Sequence, residues 1–266
     1  MLEAERHRII LKLLQERSIV SVSDLVEILD ASDATVRRDV NALADAGKVR
    51  RIRGGAESLH PRHEAHLVGT PFALNRDIAV PQKRAIARAA AALIEEGDSI
   101  IINAGTSTLA MTEFLVNRQL DILTNSIPVM ARLHETSRNR VSVPGGTIFR
   151  EQNIVISPFE DDTVDSFWAQ KLFTGCFGIN RHGVMEADPL IVQAQARLLK
   201  RAEQVIVLAD SQKLRQRAPI IVMPLVKVSV VITDDGAHET DLEELRAADV
   251  KIIVVPVKAT DSQQVA

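Results

Sequence analysis

Apolar residues recur at helical spacing in three segments within the first 45 residues. Isoleucines and leucines between positions 9 and 14 predict an amphipathic helix over residues 3–17. Ser21 begins a Ser-x-x-Asp capping pattern, and the apolar residues that follow it at i, i+3, i+4 and i+7 predict a second helix of about two turns. Ser32 can cap a third helix. The predicted buried stripe of this third helix is Val36, Val40 and Leu43.

The third helix presents a basic face, and a basic hairpin follows it. At about 100° per residue, Arg37, Arg38 and Asn41 lie away from the apolar stripe. Gly47 ends the helix, after which apolar and basic residues alternate up to a Gly-Gly pair at positions 54–55. This alternation predicts a small β-hairpin, or wing. We therefore expect residues 1–57 to form a winged helix-turn-helix DNA-binding domain.

From residue 82 onward, helical patterns alternate with short strands that are apolar on both faces. This alternation favours an α/β domain over residues 82–256 with a mostly parallel sheet. The predicted helices are 82–96, a segment ending at Phe114, 128–135, and segments near 160–168, 190–202 and 239–248. The predicted strands are 99–103, 121–124, 141–144, 172–177, 204–209, 228–233 and 251–255.

Composition narrows the class of protein. The 266 residues are 46% hydrophobic and 25% charged, as in folded globular domains. No apolar run approaches the roughly 20 residues of a spanning helix, and the first residues do not resemble a secretory signal, so we expect a cytoplasmic location away from membranes. The single cysteine, Cys176, excludes an internal disulfide and a cysteine-based zinc site.

Residues 58–81 are predicted to be a linker and residues 257–266 a tail, because neither shows sustained periodicity. Three histidines in the linker could suggest a metal site, but a proline-rich stretch without carboxylate or cysteine partners favours exposed spacers. We expect no metal and no cofactor. The three histidines are His60, His63 and His66.

Charge is clustered although the net charge is −3. Residues 37–53 hold six bases and two acids, a local charge of +4. A solvated face would explain the charge alone, but the helical pattern favours contact with double-stranded operator DNA, where Arg reads guanine and Asn reads adenine. The candidate DNA contacts are Ser32, Thr35, Arg37, Arg38, Asn41, Lys48, Arg50, Arg51 and Arg53.

Polar and glycine-rich turns follow the predicted strands of the α/β domain. Ligands of parallel sheets bind outside the carboxyl ends of the strands, so these turns converge on one edge. Each turn alone is ordinary loop chemistry, but together they predict a site for a small anionic ligand. The candidate ligand contacts are Asn103, Gly105, Thr106, Ser107, Thr108, Thr124, Asn125, Ser126, Gly145, Gly146, Asn180 and Lys213.

The motif Thr35-Val36-Arg37-Arg38-Asp39-Val40, followed by Leu43, Gly47 and Arg51-Ile52-Arg53-Gly54-Gly55-Ala56, resembles the winged helix-turn-helix signature of the DeoR family of bacterial transcriptional regulators. The resemblance implies that Asp39 supports neighbouring arginines while the wing arginines contact phosphates. The second domain is similar to the DeoR sensor domain, whose fold looks like ribose-5-phosphate isomerase and which binds phosphorylated sugars. Together the two resemblances cover residues 1–256.

Carried over by position, Gly105, Thr106 and Ser107 would hold the phosphate, and Lys213 would supply a positive charge. Thr124, Asn125 and Ser126 would line the neighbouring wall. The chain departs from the family pattern where an acidic residue is replaced by Asn103, and where a Glu and a Lys are replaced by Gln193 and Gln195. The wing and the strand ends look more like the ascorbate-utilisation subgroup than the glycerol or fructose types.

The leading hypothesis is a repressor of a carbohydrate catabolic operon, released from its operator by a sugar-phosphate-like effector and acting as a homo-oligomer, a dimer or a tetramer. One alternative is a sugar-phosphate isomerase or deaminase with a regulatory DNA-binding head. Such an enzyme needs a positioned base, which Asn103 cannot supply. Asp210 and Asp234 each follow a predicted strand and remain possible bases, but capping or turn roles are favoured for both. Another alternative is an architectural DNA-binding protein without a ligand.

Overall fold

The computed structural model separates the chain into two compact units, Met1–His66 and Leu67–Ala266. The structure describes residues 2–17, 19–52, 54–58, 72–159 and 161–257. None of the helices in these ranges is long and apolar enough to span a bilayer.

The first unit is a winged helix-turn-helix. Its three strands form an antiparallel sheet in the order β1-β3-β2, and the β2–β3 hairpin is the wing. The predicted caps are present, since Ser21 Oγ accepts a hydrogen bond from the Asp24 amide and Ser32 Oγ accepts one from the Thr35 amide. The elements are α1 (Glu3–Arg17), β1 (Ile19–Ser21), α2 (Val22–Leu29), α3 (Asp33–Asp45), β2 (Val49–Ile52) and β3 (Gly55–Ser58).

The two glycines of the wing have different roles. Gly54 has a φ of +84°, a left-handed conformation that L side chains rarely adopt. At Gly55, a Cβ atom would lie 2.3 Å from the carbonyl oxygen of Val20, so no side chain fits between β3 and β1. The wing therefore needs glycine at both positions.

The second unit is built on a seven-stranded parallel sheet in the order β15-β14-β12-β9-β4-β5-β6. Its helices are α4 (Phe72–Arg76), α5 (Val80–Ala91), α6 (Thr106–Met111), α7 (Ile127–Thr136), α8 (Thr163–Ser166), α9 (Pro189–Leu199) and α10 (Glu239–Arg246). Its strands are β4 (Ser99–Ile102), β5 (Asp121–Thr124), β6 (Arg140–Ser142), β7 (Thr147–Phe149), β8 (Ile154–Ile156), β9 (Ala169–Thr174), β10 (Gly178–Asn180), β11 (Gly183–Glu186), β12 (Ala202–Leu208), β13 (Ile220–Met223), β14 (Val230–Asp234) and β15 (Lys251–Val255).

Helices cover both faces of this sheet. The three isoleucines of β4 show the arrangement, since Ile100 and Ile102 pack with α5 and α7, whereas Ile101 packs on the opposite face with α9 and α10. All three are fully buried. This is the burial that near-continuous apolar strands predict for a parallel sheet, and the α/β fold class is confirmed.

The sequence did not reveal five short strands. β7 and β8 form a hairpin, and β10, β11 and β13 form a small antiparallel sheet. Residues 178–180, expected to be a loop after a strand, are themselves β10. In addition, α4 lies within the residues expected to be a linker, and α5 begins there at Val80. The linker histidines and residues 258–266 of the expected tail lie outside the described residues.

Candidate DNA-binding and effector sites

Asp39 fixes the third helix against the first. Both carboxylate oxygens accept hydrogen bonds from Arg6 of α1, at 2.6 and 3.0 Å, and His7 Nε2 lies 3.4 Å away. These contacts hold the pKa of the buried Asp39 below its usual range, mainly through the hydrogen bond from Arg6. Its partner is therefore in α1 and not among the neighbouring arginines. Glu3 also lies nearby, but Arg6 occupies both Asp39 oxygens and we assign no metal there.

The outward face of α3 carries Arg37, Arg38 and Asn41, all exposed. Arg37 forms an ion pair with Asp33, one turn earlier. Asn41 Oδ1 accepts a hydrogen bond from Arg51 in the wing at 3.2 Å. Because this contact joins α3 to the hairpin, the two elements form one groove. Arg37, Asn41 and Arg51 line that groove.

The other candidate DNA contacts have different placements. Ser32 and Thr35 share a 2.8 Å hydrogen bond at the start of α3, so both have a role in the cap. Lys48 is exposed, and Arg50 in the wing lies 3.3 Å from Glu57 on the paired strand. Arg53 lies outside the described residues.

A cavity of about 90 Å³ lies at the carboxyl ends of four adjacent strands of the second unit, β12, β9, β4 and β5. This is the edge at which parallel α/β sheets bind ligands. Six of the predicted ligand contacts line it. They are Asn103, Gly105, Thr106, Ser107, Asn125 and Lys213.

Three further predicted contacts lie beside the cavity lining, and their polar groups bond within the protein. The Thr108 hydroxyl donates to the Gly105 carbonyl at 2.9 Å. The Thr124 hydroxyl donates to the Ile102 carbonyl at 2.6 Å, and Ser126 caps α7. All three are buried, so they shape the loops that carry the lining residues.

The remaining three predicted contacts lie outside the cavity lining. Gly145 and Gly146 are exposed, and the backbone at Gly146 packs against the carbonyl of Ile156. Asn180 belongs to β10, where its side-chain oxygen accepts a hydrogen bond from the His182 amide at 2.9 Å.

Lys83 lines the cavity although the sequence analysis did not select it. Its side chain is 3% exposed, and its ammonium donates to the backbone carbonyl and the side-chain oxygen of Asn75. Burial lowers its pKa to about 8; the negative charge of Asp210 opposes this shift, and the charge of Lys213 adds a smaller lowering. The sequence did indicate its burial, since Lys83 lies on the same buried face of α5 as Ile86 and Ala87.

Two more ionisable groups of the lining differ in their surroundings. Lys213 donates to Gln216 at 3.1 Å and lies 5.6 Å from the centre of the Phe177 ring. Glu186, at the end of β11, accepts a hydrogen bond from the Phe177 amide at 3.0 Å. Burial raises the pKa of Glu186 to about 7, despite the opposing effect of Lys213. Desolvation also raises the pKa of the Cys176 thiol, which favours its protonated form.

Asn103, which lines the cavity, and Gln195, two positions expected to depart from the family pattern, meet at Thr174. Asn103 Nδ2 and Gln195 Nε2 both donate to the hydroxyl oxygen of Thr174, at 2.9 and 2.7 Å. That hydroxyl in turn donates to the Gly175 carbonyl. Two neutral amides thus share one acceptor. The third departure, Gln193, lines a smaller cavity that also contacts Asn125.

The described geometry contains a basic, groove-forming winged helix and a sheet-edge cavity with two lysines. A DNA-reading unit and a small-molecule cavity in one chain define the class of ligand-responsive transcriptional regulators. Comparison with known proteins agrees with this class. Residues 6–62 match the DeoR-like helix-turn-helix domain, and residues 78–235 match the DeoR C terminal sensor domain.

The chain belongs to the DeoR family. It is 31% identical over 257 residues to the HTH-type transcriptional regulator UlaR of Shigella dysenteriae serotype 1 (strain Sd197), covering 96% of this chain and 100% of that protein. UlaR of Escherichia coli O1:K1 / APEC shows the same identity and coverage. These matches confirm the family resemblance and agree with the ascorbate-utilisation subgroup. They identify a DNA-binding regulator rather than an enzyme.

A likeness to solved structures is more limited. Ribose 5-phosphate isomerase A from Methanocaldococcus jannaschii is 13% identical, with a TM-score of 0.38, over 49% of this chain and 52% of that protein. Similarity at this level supports no argument about ligand or mechanism.

Proposed function

We propose that this regulator is a cytoplasmic repressor that leaves its operator when the sheet-edge cavity binds a phosphorylated, sugar-like effector. The observation that carries the proposal is the pair of lysines, Lys83 and Lys213, in the lining of one cavity. Neither ammonium forms an ion pair with a carboxylate within 4.0 Å in the described part of the chain. Two ammonium groups that have no ion-pair partner within this distance favour a ligand that brings its own negative charge.

The loop after β4 supplies the second part of the proposed phosphate site. Gly105 has no side chain, and the hydroxyl-bearing Thr106 and Ser107 line the cavity. The position of the loop is fixed, because Asn125 Oδ1 accepts a hydrogen bond from the Ala104 amide at 3.0 Å. Hydroxyl donors near ammonium groups suit the several acceptor oxygens of a phosphate.

In the first unit, we propose that Arg37, Arg38 and Asn41 read bases, while Lys48, Arg50 and Arg51 contact phosphates. The Asn41–Arg51 hydrogen bond supports this division, because it places wing and reading helix beside one groove. A homo-oligomer, a dimer or a tetramer, would present two such units to a two-fold operator.

Replacement of Lys213 with Glu tests the effector site. The variant should bind operator as the wild type does but should no longer be released by a panel of sugar phosphates, because a negative charge replaces a cation in the cavity. Lys227 is exposed and does not line the cavity, so Lys227→Glu is the matched charge control. Operator release and thermal shift would be measured with the same panel. A wild-type response in Lys213→Glu would place the effector elsewhere.

A further inference from the structure

The effector cavity holds a carboxyl group in addition to its two lysines. Glu186 lines it together with Lys83 and Lys213. Among the described residues, no pair of these three groups lies within ion-pair distance. A cavity built for an anion alone would gain nothing from a carboxylate, since like charges repel.

The carboxyl of Glu186 retains unused capacity to accept hydrogen bonds. Its described partners are backbone amides, with the Phe177 amide at 3.0 Å and the Ala187 amide also contributing. A carboxylate offers about four lone-pair sites on two oxygens. No described side chain donates to it, so hydroxyl groups of a ligand can supply further donors at this group.

We propose that Glu186 determines effector specificity by accepting hydrogen bonds from hydroxyl groups of the effector, so that the cavity selects hydroxylated anions over anions that lack hydroxyls. This inference rests on the proposed function and names a selecting residue within that site. A site built to bond a hydroxyl rejects the analogue that lacks it, because the polar group of the protein is left unpaired.

The surroundings of Glu186 increase the free-energy cost of leaving its carboxylate without hydrogen-bond donors. It ends β11 and is half-buried, and the desolvation of its carboxyl raises its pKa to about 7. An ionised carboxyl in such surroundings is costly unless donors surround it. A hydroxylated phosphate can place its anionic group at the two lysines and donate hydrogen bonds from its hydroxyls to Glu186. An alkyl phosphate can bind the lysines but leaves the carboxylate of Glu186 without these donors.

Matched pairs of probes test the inference on the full chain at pH 7.5, where most of Glu186 is ionised and most of Lys83 is protonated. The pairs are glycerol 3-phosphate and propyl phosphate, ribose 5-phosphate and pentyl phosphate, and glucose 6-phosphate and hexyl phosphate, measured by calorimetry. For a pair that binds, the wild type should prefer the hydroxylated member by about tenfold or more, as expected for hydrogen bonds to a charged group. Glu186→Leu should abolish that preference and bind the alkyl phosphate at least as tightly as the wild type.

Glu186→Gln provides a second variant if the leucine change prevents folding. It keeps an acceptor for the Phe177 amide but removes the charge, so inorganic phosphate should bind it more tightly than the wild type. Glu243, which is exposed on α10, gives the control Glu243→Gln, expected to behave as the wild type.

Two outcomes separate this inference from the proposed function. If the wild type binds phosphates in a Lys213-dependent manner but the hydroxyl preference survives at Glu186→Leu, or is undiminished at Glu186→Gln, where a neutral acceptor replaces the charged one, the selecting role of Glu186 is wrong and the anion site stands. If no probe binds the wild type, or if binding is unchanged in Lys213→Glu, the proposed effector site is wrong and this inference is overturned with it.

Discussion

Asp39 and Glu186 show how the same functional group acquires opposite properties from its surroundings. Both oxygens of Asp39 are bonded to Arg6, and its pKa is lowered. Glu186 has amide donors but no ion-pair partner among the described residues, and burial raises its pKa. The first carboxyl therefore stabilises the fold as an ion, whereas the second destabilises it as an ion. Such a destabilised group is typical of a binding site.

The raised pKa of Glu186 predicts a pH-dependent stability. Between the unfolded value of 4.5 and the folded value of about 7, the native state binds more protons than the unfolded chain, so the free energy of unfolding falls as pH rises. Glu186→Gln removes this titration. Relative to the wild type it should gain stability across that window, by up to about 3 kcal/mol above pH 7. Urea unfolding at pH 5 and pH 8 would measure it, with Glu243→Gln as control. An equal difference at both pH values would contradict the prediction.

At the scale of elements, the sequence predicted the parts that have a strong hydrophobic period. The wing, the helices of the first unit and the parallel strands follow from this period, because burial on one or both faces dictates the residue types. Strands of three or four residues such as β7 and β10 carry too few positions to show alternation. β11 also pairs with a strand that is distant in sequence, β13, as in the pairing of Met185 with Ile221.

The same limits explain which site residues were predicted. Turns after strands can be recognised in the sequence, so Thr106 and Lys213 were correctly predicted to lie at the sheet edge. Lys83 was missed because a lysine near a helix start usually faces water, although its helical position matched a buried stripe. Asn75, which accepts hydrogen bonds from Lys83, was also missed, because it lies in a helix of five residues inside the expected linker. Glu186 ends one of the unrecognised strands, so nothing placed it at the sheet edge.

The reading helix and the wing should differ in how they contribute to DNA binding. Arg38→Ala, on the exposed face of α3, should cost about 1 to 3 kcal/mol of discrimination between operator and random DNA.

Lys48→Ala, at the start of the wing, should weaken both complexes equally and reduce the slope of log affinity against log salt by about 0.9. Affinities for both DNAs across a salt series would measure the two effects, with the exposed Arg8→Ala in α1 as control. If both variants changed only the salt slope, α3 would not be the base-reading element.

At the scale of the whole molecule, one winged helix contacts only a short stretch of DNA, so the proposed oligomer should require two half-sites. Half-sites one helical turn apart, about 10 base pairs, face the same side of the duplex. Insertion of five base pairs between them should therefore weaken binding strongly, whereas insertion of ten should restore much of it. Gel-shift titrations of the three operators would test this. Equal affinity for all three would indicate that single units bind independently.

The contact between Lys83 and Asn75 has a consequence for how occupancy of the cavity is transmitted. An ammonium carries three donors, and Asn75 accepts two of them through its carbonyl and its side-chain oxygen. A third donor remains for an anion, so we expect an effector to bond Lys83 without displacing α4, the first described helix after the residues that connect the two units. The bound state then restricts the motion of α4. The free energy of ordering α4 then becomes part of the free energy of effector binding, and by reciprocity a bound effector stabilises this short helix.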